Sequence, residues 1–389
     1  SVYSYMLVTS ISVLIIACPC ALGLATPIST MIGVGKAAEY GGLIRNGDAL
    51  QRASELTVVV LDKTGTITEG RPRVVDVLFS ERAQKSFLAQ VVSALEAQAN
   101  HPLADALLEY CQADVGIKEN IELEEFELLV GLGVKGMIGG SCYYLGNERL
   151  MKQRGVTISL NTLNDQYQTA TRVYLSDGAE LLAVFYIEDP VKVSSKLAVS
   201  GFKKQGLKVV MLTGDNSETA ASVASMVGIE DYHSQLMPDD KLNWVMKLQA
   251  QGEVVGMVGD GINDAPALAQ ADVGFAMGAG TDVAMESADI TLINNQLQSV
   301  VHIIQISKAT LKNIKQNLLG AFAYNSLGIP IAAGILFPFT GWLLSPIIAG
   351  LAMSLSSITV VTNANRLRLF HVSQATDNFS TRKRSGGEV

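Results

Sequence analysis

The chain has 389 residues, 48% of them hydrophobic and only 17% charged, with a formal net charge of −8. That length allows two or three domains, the apolar balance calls for membrane spans, and the negative charge without a basic-aromatic stripe argues against a nucleic-acid partner. Four cysteines (Cys18, Cys20, Cys111 and Cys142) make no disulfide framework in so long a chain, which suggests a reducing compartment for its middle part.

In chain order, residues 1–35 carry no charge and are expected to form a first membrane helix, since a bilayer core of about 30 Å needs roughly 20 helical residues. Inside it, IIACPCALGLATP sets Cys18 and Cys20 on either side of Pro19. Proline frees backbone carbonyls and unwinds a helix locally, so both thiols can face one point. Thiolates select Cu(I) over Mg²⁺ or Ca²⁺. The plainer alternative is a kinked helix with two packed cysteines.

Three later runs share one design. TVVVLDKTGT runs into Asp62, LKVVMLTGDN into Asp215, and EVVGMVGDGINDAP into Asp260, with Asn263 and Asp264 close behind. Continuous β-branched runs ending in Gly and Asp read as buried parallel strands, and the site of an open α/β sheet lies at the strands' carboxyl ends. Asp62, Asp215 and Asp260 are therefore expected to converge. Converging carboxylates need a cation, and oxygen donors without nearby His or Cys suit Mg²⁺. Asp62 is the candidate nucleophile for an acyl-phosphate intermediate. The turn Lys63-Thr64-Gly65-Thr66 offers amides and hydroxyls to phosphate, and Lys241 of MPDDK a neutralising charge. ADVGFAMG reads as a further strand.

The 115 residues 74–188, between the first two of these motifs, are too many for a crossover, so they form an inserted domain. TRVYLSDGAELLAVFYI reads as a hairpin around Ser-Asp-Gly, and NHPLADALLEY as a capped helix start. Asp189-Pro190 returns the chain to the first domain.

Residues 316–365 are again uncharged and read as two spans, 316–337 and 342–365, broken at Pro338-Phe339-Thr340-Gly341. The first carries Tyr324 and Asn325, the second Met353 and Ser357 four residues apart. Lys36, Arg45, Arg52, Lys308, Lys312, Lys315, Arg366 and Arg368 all fall on one side of this topology, which is then cytoplasmic. An uncharged start on the outer side, without a signal-peptide n-region, leads to the expectation that sequence lies upstream of Ser1.

The motifs DKTGT, TGDN and MVGDGINDAP, in this order, resemble the phosphorylation domain of P-type ATPases. The resemblance implies an α/β cytoplasmic headpiece, with a haloacid-dehalogenase-like Rossmann domain over 36–73 and 189–300 and an inserted α+β nucleotide-binding domain over 74–188. The uncharged runs above make three transmembrane helices, and 370–389, a Ser/Thr/Arg tail outside the resemblance, is expected to be a disordered cytoplasmic tail. By the same resemblance ATP phosphorylates Asp62, while Asp260 joins Asp62 and the Thr64 carbonyl around Mg²⁺. Thr213, Asp215, Lys241, Asn263 and Asp264 support the phosphate and metal site. The set Glu96, His101, Gly131, Gly133, Gly146 and Asn147 resembles the adenine pocket of the heavy-metal branch. Many such pumps have an arginine near the Asp-Pro hinge; Lys192 stands here, and no ligand role is expected of it.

Cys-Pro-Cys, Tyr-Asn and Met-x3-Ser together resemble the copper(I)/silver(I)-exporting subgroup, with Cys18, Cys20, Tyr324, Asn325, Met353 and Ser357 as ligands. The resemblance implies Cu⁺ as the transported ion, the bacterial inner membrane as location, and a cytosolic copper chaperone as partner. It also implies an upstream actuator domain and further spans, because no TGE loop or amino-terminal CxxC domain is found. The alternatives are a zinc or cadmium exporter, a membrane-tethered haloacid-dehalogenase phosphatase and a non-enzymatic copper-binding protein. The first usually carries Lys and Asp-Gly in its later spans. The second usually carries a second Asp where Thr64 stands.

Overall fold

The computed structural model describes residues 2–80, 84–99, 102–113, 115–116, 121–158, 167, 170–260, 262–278 and 282–372. His101 and the tail beyond 372 lie outside these, as do the side chains of Cys20 and Ala21. The chain divides into two compact units, one of residues 1–62, 194–210 and 237–389, the other of 63–193 and 211–236. The strands, in chain order, are β1 (Gly42–Ile44), β2 (Val58–Asp62), β3 (Arg73–Phe79), β4 (Glu125–Leu129), β5 (Gly133–Ile138), β6 (Ser141–Gly146), β7 (Thr171–Ser176), β8 (Leu181–Glu188), β9 (Lys208–Leu212), β10 (Asp231–His233), β11 (Val255–Gly259), β12 (Val273–Met277) and β13 (Ile290–Leu292).

In the first unit the strands lie in the order β1-β13-β12-β11-β2-β9. β2, β11, β12 and β13 run parallel, and β1 closes the edge antiparallel to β13. Every residue of β2, β11 and β12 is buried, which explains why these runs are continuously apolar instead of alternating: both faces are covered. The register sets Leu61 beside Val258. Asp62 and Asp260, the residues at and just past the two strand ends, therefore leave the sheet side by side.

The apolar segments of this unit differ from the sequence expectation. Residues 1–35 do not form one helix. A helix over Val2–Ile16 stops, Ala17–Pro19 are non-helical, and a second helix runs from Cys20 to Glu39. Pro19, which lacks an amide hydrogen, is the breaker. Of the segment 316–337, residues 316–332 are the second half of a 36-residue helix, Leu297–Ala332, whose first half packs in a core through Leu297, Val300, Val301, Ile303 and Ile304. Among the described residues, Pro346–Leu369 alone is by itself long and apolar enough to cross a membrane; Tyr3–Ile16 is apolar but shorter.

Two apolar clusters join these helices: Ile16 with Ala332, Leu344, Ala349 and Met353, and Ala25 with Ala321 and Val360. A polar network ties helices 20–39, 297–332 and 346–365. Ser29 donates to Asn313 Oδ1 (2.8 Å), Asn317 Nδ2 to Ser29 Oγ (3.1 Å), Asn363 Nδ2 to Asn317 Oδ1 (2.8 Å) and Asn313 Nδ2 to the Asn363 carbonyl (2.9 Å). Such side-chain bonds hold helices together where lipid offers no hydrophobic drive between them.

The second unit holds a six-stranded antiparallel sheet, β3-β8-β7-β6-β5-β4. Helices Lys85–Glu96 and Pro102–Ala113 cover one face through Leu88, Val92, Leu95 and Leu107, against Leu175 and Phe185. Tyr144, Leu150, Met151, Tyr174 and Tyr186 pack on the other. The β7–β8 hairpin turns at Asp177-Gly178: Asp177 Oδ1 accepts from the Ala179 and Glu180 amides (2.9 and 2.8 Å), and Gly178 takes φ +91°.

Candidate active site

The carboxylates of Asp62, Asp260 and Asp264 each offer an oxygen within 4.8 Å of the others. Asp62 and Asp264 are buried, and Lys241 reaches both, donating from Nζ to Asp62 Oδ1 at 2.6 Å and to Asp264 Oδ1 at 2.7 Å. The third carboxylate of the cluster is therefore Asp264 and not Asp215, as the strand-end pattern implied. Gly259 makes this possible: a Cβ there would lie 2.7 Å from Asp264 Oδ2. Asn263 sits exposed in the short turn Ile262–Asp264.

Burial, and then the Asp264 charge, push the Asp62 carboxyl up to about 7 against the pull of Lys241. Burial alone would lower the Lys241 ammonium, but Asp62 and Asp264 raise it above its ordinary value. Three carboxylates whose oxygens lie this close, two of them on Lys241, make a confined, all-oxygen setting. The donor set fits Mg²⁺, which prefers carboxylate and other hard oxygen ligands. Asp62, Asp260 and Asp264 are the side chains placed to hold it.

In the second unit, the segment after Asp62 is a tight turn over Lys63–Ile67, with Gly65 at φ +71°. Three side chains brace it that sequence reasoning undervalued. Lys63 Nζ pairs with Asp215 Oδ2 at 2.7 Å, although only the turn's amides and hydroxyls were singled out. Lys192 Nζ donates to the Gly65 carbonyl at 2.5 Å, so this hinge lysine fixes the loop where no role was expected. Asp189 accepts from Thr68 Oγ1 (2.5 Å) and from the Gly70 and Arg71 amides (2.9 and 3.2 Å). Buried Thr213 accepts from the Asp215 amide (3.1 Å), which orients the TGDN turn. The signal for these partners was present only as polar residues at loop ends.

A cavity of about 430 Å³ in the same unit is lined by Glu96, Gly131, Gly133, Gly146 and Asn147, five of the six residues expected there. His101, the sixth, lies outside the described residues. Gly133 and Gly146 are register partners on β5 and β6. A Cβ on Gly133 would lie 2.2 Å from the Leu145 carbonyl oxygen, and one on Gly146 would lie 2.2 Å from that of Leu132. Both glycines are thus required by the close strand approach itself. Asn147 spends its side chain on the fold: Nδ2 donates to the Gly131 carbonyl (2.9 Å) and Oδ1 caps helix Glu148–Gln153. Arg172, which was not predicted, also lines the cavity and has a buried Nε without a hydrogen-bond partner.

Glu96 is 3% exposed, and burial pushes its carboxyl up to about 7 from 4.5. The folded chain therefore holds a proton that the unfolded chain releases, so stability falls as pH rises from about 4.5 to about 7 and is level above. At 1.36 kcal/mol per pKa unit the loss is roughly 3 kcal/mol. Thermal denaturation across this range should show a part of the slope that vanishes in Glu96→Gln; equal slopes in both proteins would refute the assignment.

The predicted copper ligands are less fully assembled. Cys18 lies in the helix break and is disulfide-bonded; the reduced thiolates are the form that binds soft metals. Met353 is buried in the cluster around Ile16, two residues before Cys18. The buried stripe of helix Pro346–Asn365 runs Met353, Ser356, Val360, Ala364, so Ser356 shares the face of Met353 and Ser357 lies half-buried on its shoulder. Tyr324 is 42% exposed and Asn325 half-buried. Gly328 packs on Ile16, where a Cβ would come within 2.8 Å of it.

A family profile described as haloacid dehalogenase-like hydrolase matches residues 56–272, the span that holds the carboxylate cluster, and a second of the same description matches 242–304. The chain belongs to the haloacid dehalogenase-like hydrolases, in their P-type ATPase branch. It is 50% identical to a probable copper-transporting ATPase, PacS, of Synechococcus elongatus over 94% of its own length and 49% of that protein. It is 48% identical to a copper-exporting P-type ATPase of Vibrio cholerae over 95% of its own length and 40% of that protein. It therefore spans half or less of the length of these relatives. Among solved structures, a zinc-transporting PIB-type ATPase in the E2.Pi state superposes with a TM-score of 0.77 at 33% identity, over 91% of this chain and 56% of the other.

Proposed function

We propose that this P-type ATPase chain is the catalytic and metal-site part of a pump that uses ATP to export Cu(I), and its soft congener Ag(I), through an aspartyl-phosphate. The observation that carries the reading is the joining, in one chain, of a lysine-clamped Asp62–Asp260–Asp264 cluster with a Cys-Pro-Cys break in an apolar helix. Asp62 attacks the γ-phosphorus of ATP through a carboxylate oxygen, and the bond to the ADP oxygen breaks. Lys241 holds Asp62 and Asp264 and offsets their charge. Asp62, Asp260 and the Thr64 carbonyl, with Asn263 and Asp264 in support, would hold Mg²⁺, which when bound would supply charge neutralisation during the transfer. Thr213 and Asp215 orient the TGDN turn, and residues 74–188 hold the nucleotide in the glycine-lined cavity, with Glu96 and His101 reading adenine.

Cu(I) enters from the cytoplasmic side onto Cys18 and Cys20, with Met353, Tyr324, Asn325 and Ser357 completing its shell, and leaves outward when phosphorylation reshapes the helices. The pump then sits in the bacterial inner membrane with headpiece and C-terminus cytoplasmic. An upstream actuator domain and further spans act with it, and a cytosolic chaperone delivers copper. Three facts support the copper reading: both relatives quoted above are named for copper, thiolate and thioether donors are soft, and neither later span carries a lysine or aspartate. The test is ATPase activity of the full-length pump under reducing conditions with Cu(I), Ag(I) and Zn(II) compared. Stimulation is expected with the first two and should be lost in Cys18→Ser; stimulation by Zn(II) alone overturns the copper assignment.

A further inference from the structure

Helix Leu297–Ala332 carries Lys308, Lys312 and Lys315 on one side, at i, i+4 and i+7. With Ser54, Leu311, Gln316 and Leu319 they line a groove of about 420 Å³. Among the described residues no carboxylate lines it, in a chain that carries eight more acidic than basic residues. The nearest recorded partners of the Lys308 ammonium are two neutral oxygens of Gln205, at 3.4 and 3.5 Å. Burial lowers the Lys308 pKa, so an anion at this place would restore what desolvation takes away. The groove also has an apolar end. From Gln316 onward the helix is uncharged, and Leu319 is 72% exposed. Amines therefore stand at the level where a membrane helix passes its headgroups, and an exposed leucine stands one turn deeper.

We propose that this groove binds the phosphate headgroup of an anionic phospholipid, with the three lysines on the phosphodiester and Leu311 and Leu319 against the glycerol and first methylenes. The three amines span seven residues, about 10 Å along the helix, the scale of one headgroup. The inference rests on the membrane placement of the second half of this helix. The simpler account is that these lysines only orient the helix by charge; it predicts that any cation on the same side is equivalent. Arg366, at the end of helix Pro346–Asn365, is such a cation outside the groove.

The test is native mass spectrometry of the full chain in neutral detergent, titrated with phosphatidylglycerol, phosphatidylcholine or inorganic phosphate, with flotation on liposomes run alongside. One phosphatidylglycerol should be retained about tenfold or more in preference to phosphatidylcholine. Lys308→Gln/Lys312→Gln/Lys315→Gln, checked for folding by circular dichroism, should lose that preference, and Arg366→Gln should keep it. Equal loss in Arg366→Gln, or none in the triple variant, overturns the site. Displacement of lipid by millimolar phosphate overturns the lipid assignment in favour of a free-anion site. Failure of the wild-type chain to float with any liposome overturns the membrane placement, and the inference with it.

Discussion

Asp62→Asn should abolish phosphoenzyme while leaving the fold as stable as before, or more so. Incubated with γ-labelled ATP and quenched in acid, the wild-type protein should give a hydroxylamine-sensitive acyl-phosphate, and the variant none above background. Turnover should fall on the order of 10⁴-fold or more, since nothing else in the cluster can replace the nucleophile. The stability side follows from the same geometry. Burial and Asp264 hold the Asp62 carboxyl at about 7, above its ordinary 3.8. In the metal-free chain its ionisation therefore lowers stability as pH rises through that window. Asparagine keeps the shape, can still meet Lys241, and carries no charge for Asp264 to repel. Nucleotide affinity, which the proposed function assigns to the glycine-lined cavity, should change little. Persistent acyl-phosphate in Asp62→Asn would move the nucleophile elsewhere, and loss of folding would recast Asp62 as structural.

How far such a site can be read from sequence depends on the range of the interactions that build it. Asp62 and Asp260 were legible because each ends a continuous apolar strand, and parallel neighbours bring their ends together by topology alone. Asp264 was legible from the same short motif, but its entry into the cluster in place of Asp215 depends on Gly259 leaving room beside β11. The glycine pair of the second unit's cavity was visible as residue types, while its cause was not: Gly133 and Gly146 are cross-strand partners, a register that spacing does not reveal. The loop braces Lys63–Asp215 and Lys192–Gly65 join residues more than a hundred apart, and a single lysine carries no mark of its partner. In the apolar segments, composition located the helices but not their ends. Pro19 splits the first segment. The second extends backwards to Leu297, because its amphipathic half continues the same helical repeat into a different core.

Lys241→Met should cost more stability than any other single change in the cluster and should also suppress phosphorylation about a hundredfold or more. Lys241 pairs with both Asp62 and Asp264, and all three residues are buried. Removing one partner from such a pair typically costs about 3–5 kcal/mol, because the remaining charge is left uncompensated in low dielectric. Here two carboxylates would be left, so the variant should regain stability as pH falls and one of them takes up a proton, opposite in sign to a carboxylate stabilised by its ion pair. A double-mutant cycle separates the two roles of the lysine. Adding Asp264→Asn to Lys241→Met removes one of the repelling acids and should recover part of the melting temperature, giving a coupling of about 1–3 kcal/mol. It should recover no acyl-phosphate, because the charge that offsets the transferring phosphoryl group is still missing. Thermal melts and acid-quench labelling of the same four proteins would decide the matter. Additive losses of stability would mean that Lys241 and Asp264 act independently, and recovery of labelling would reduce Lys241 to a structural clamp.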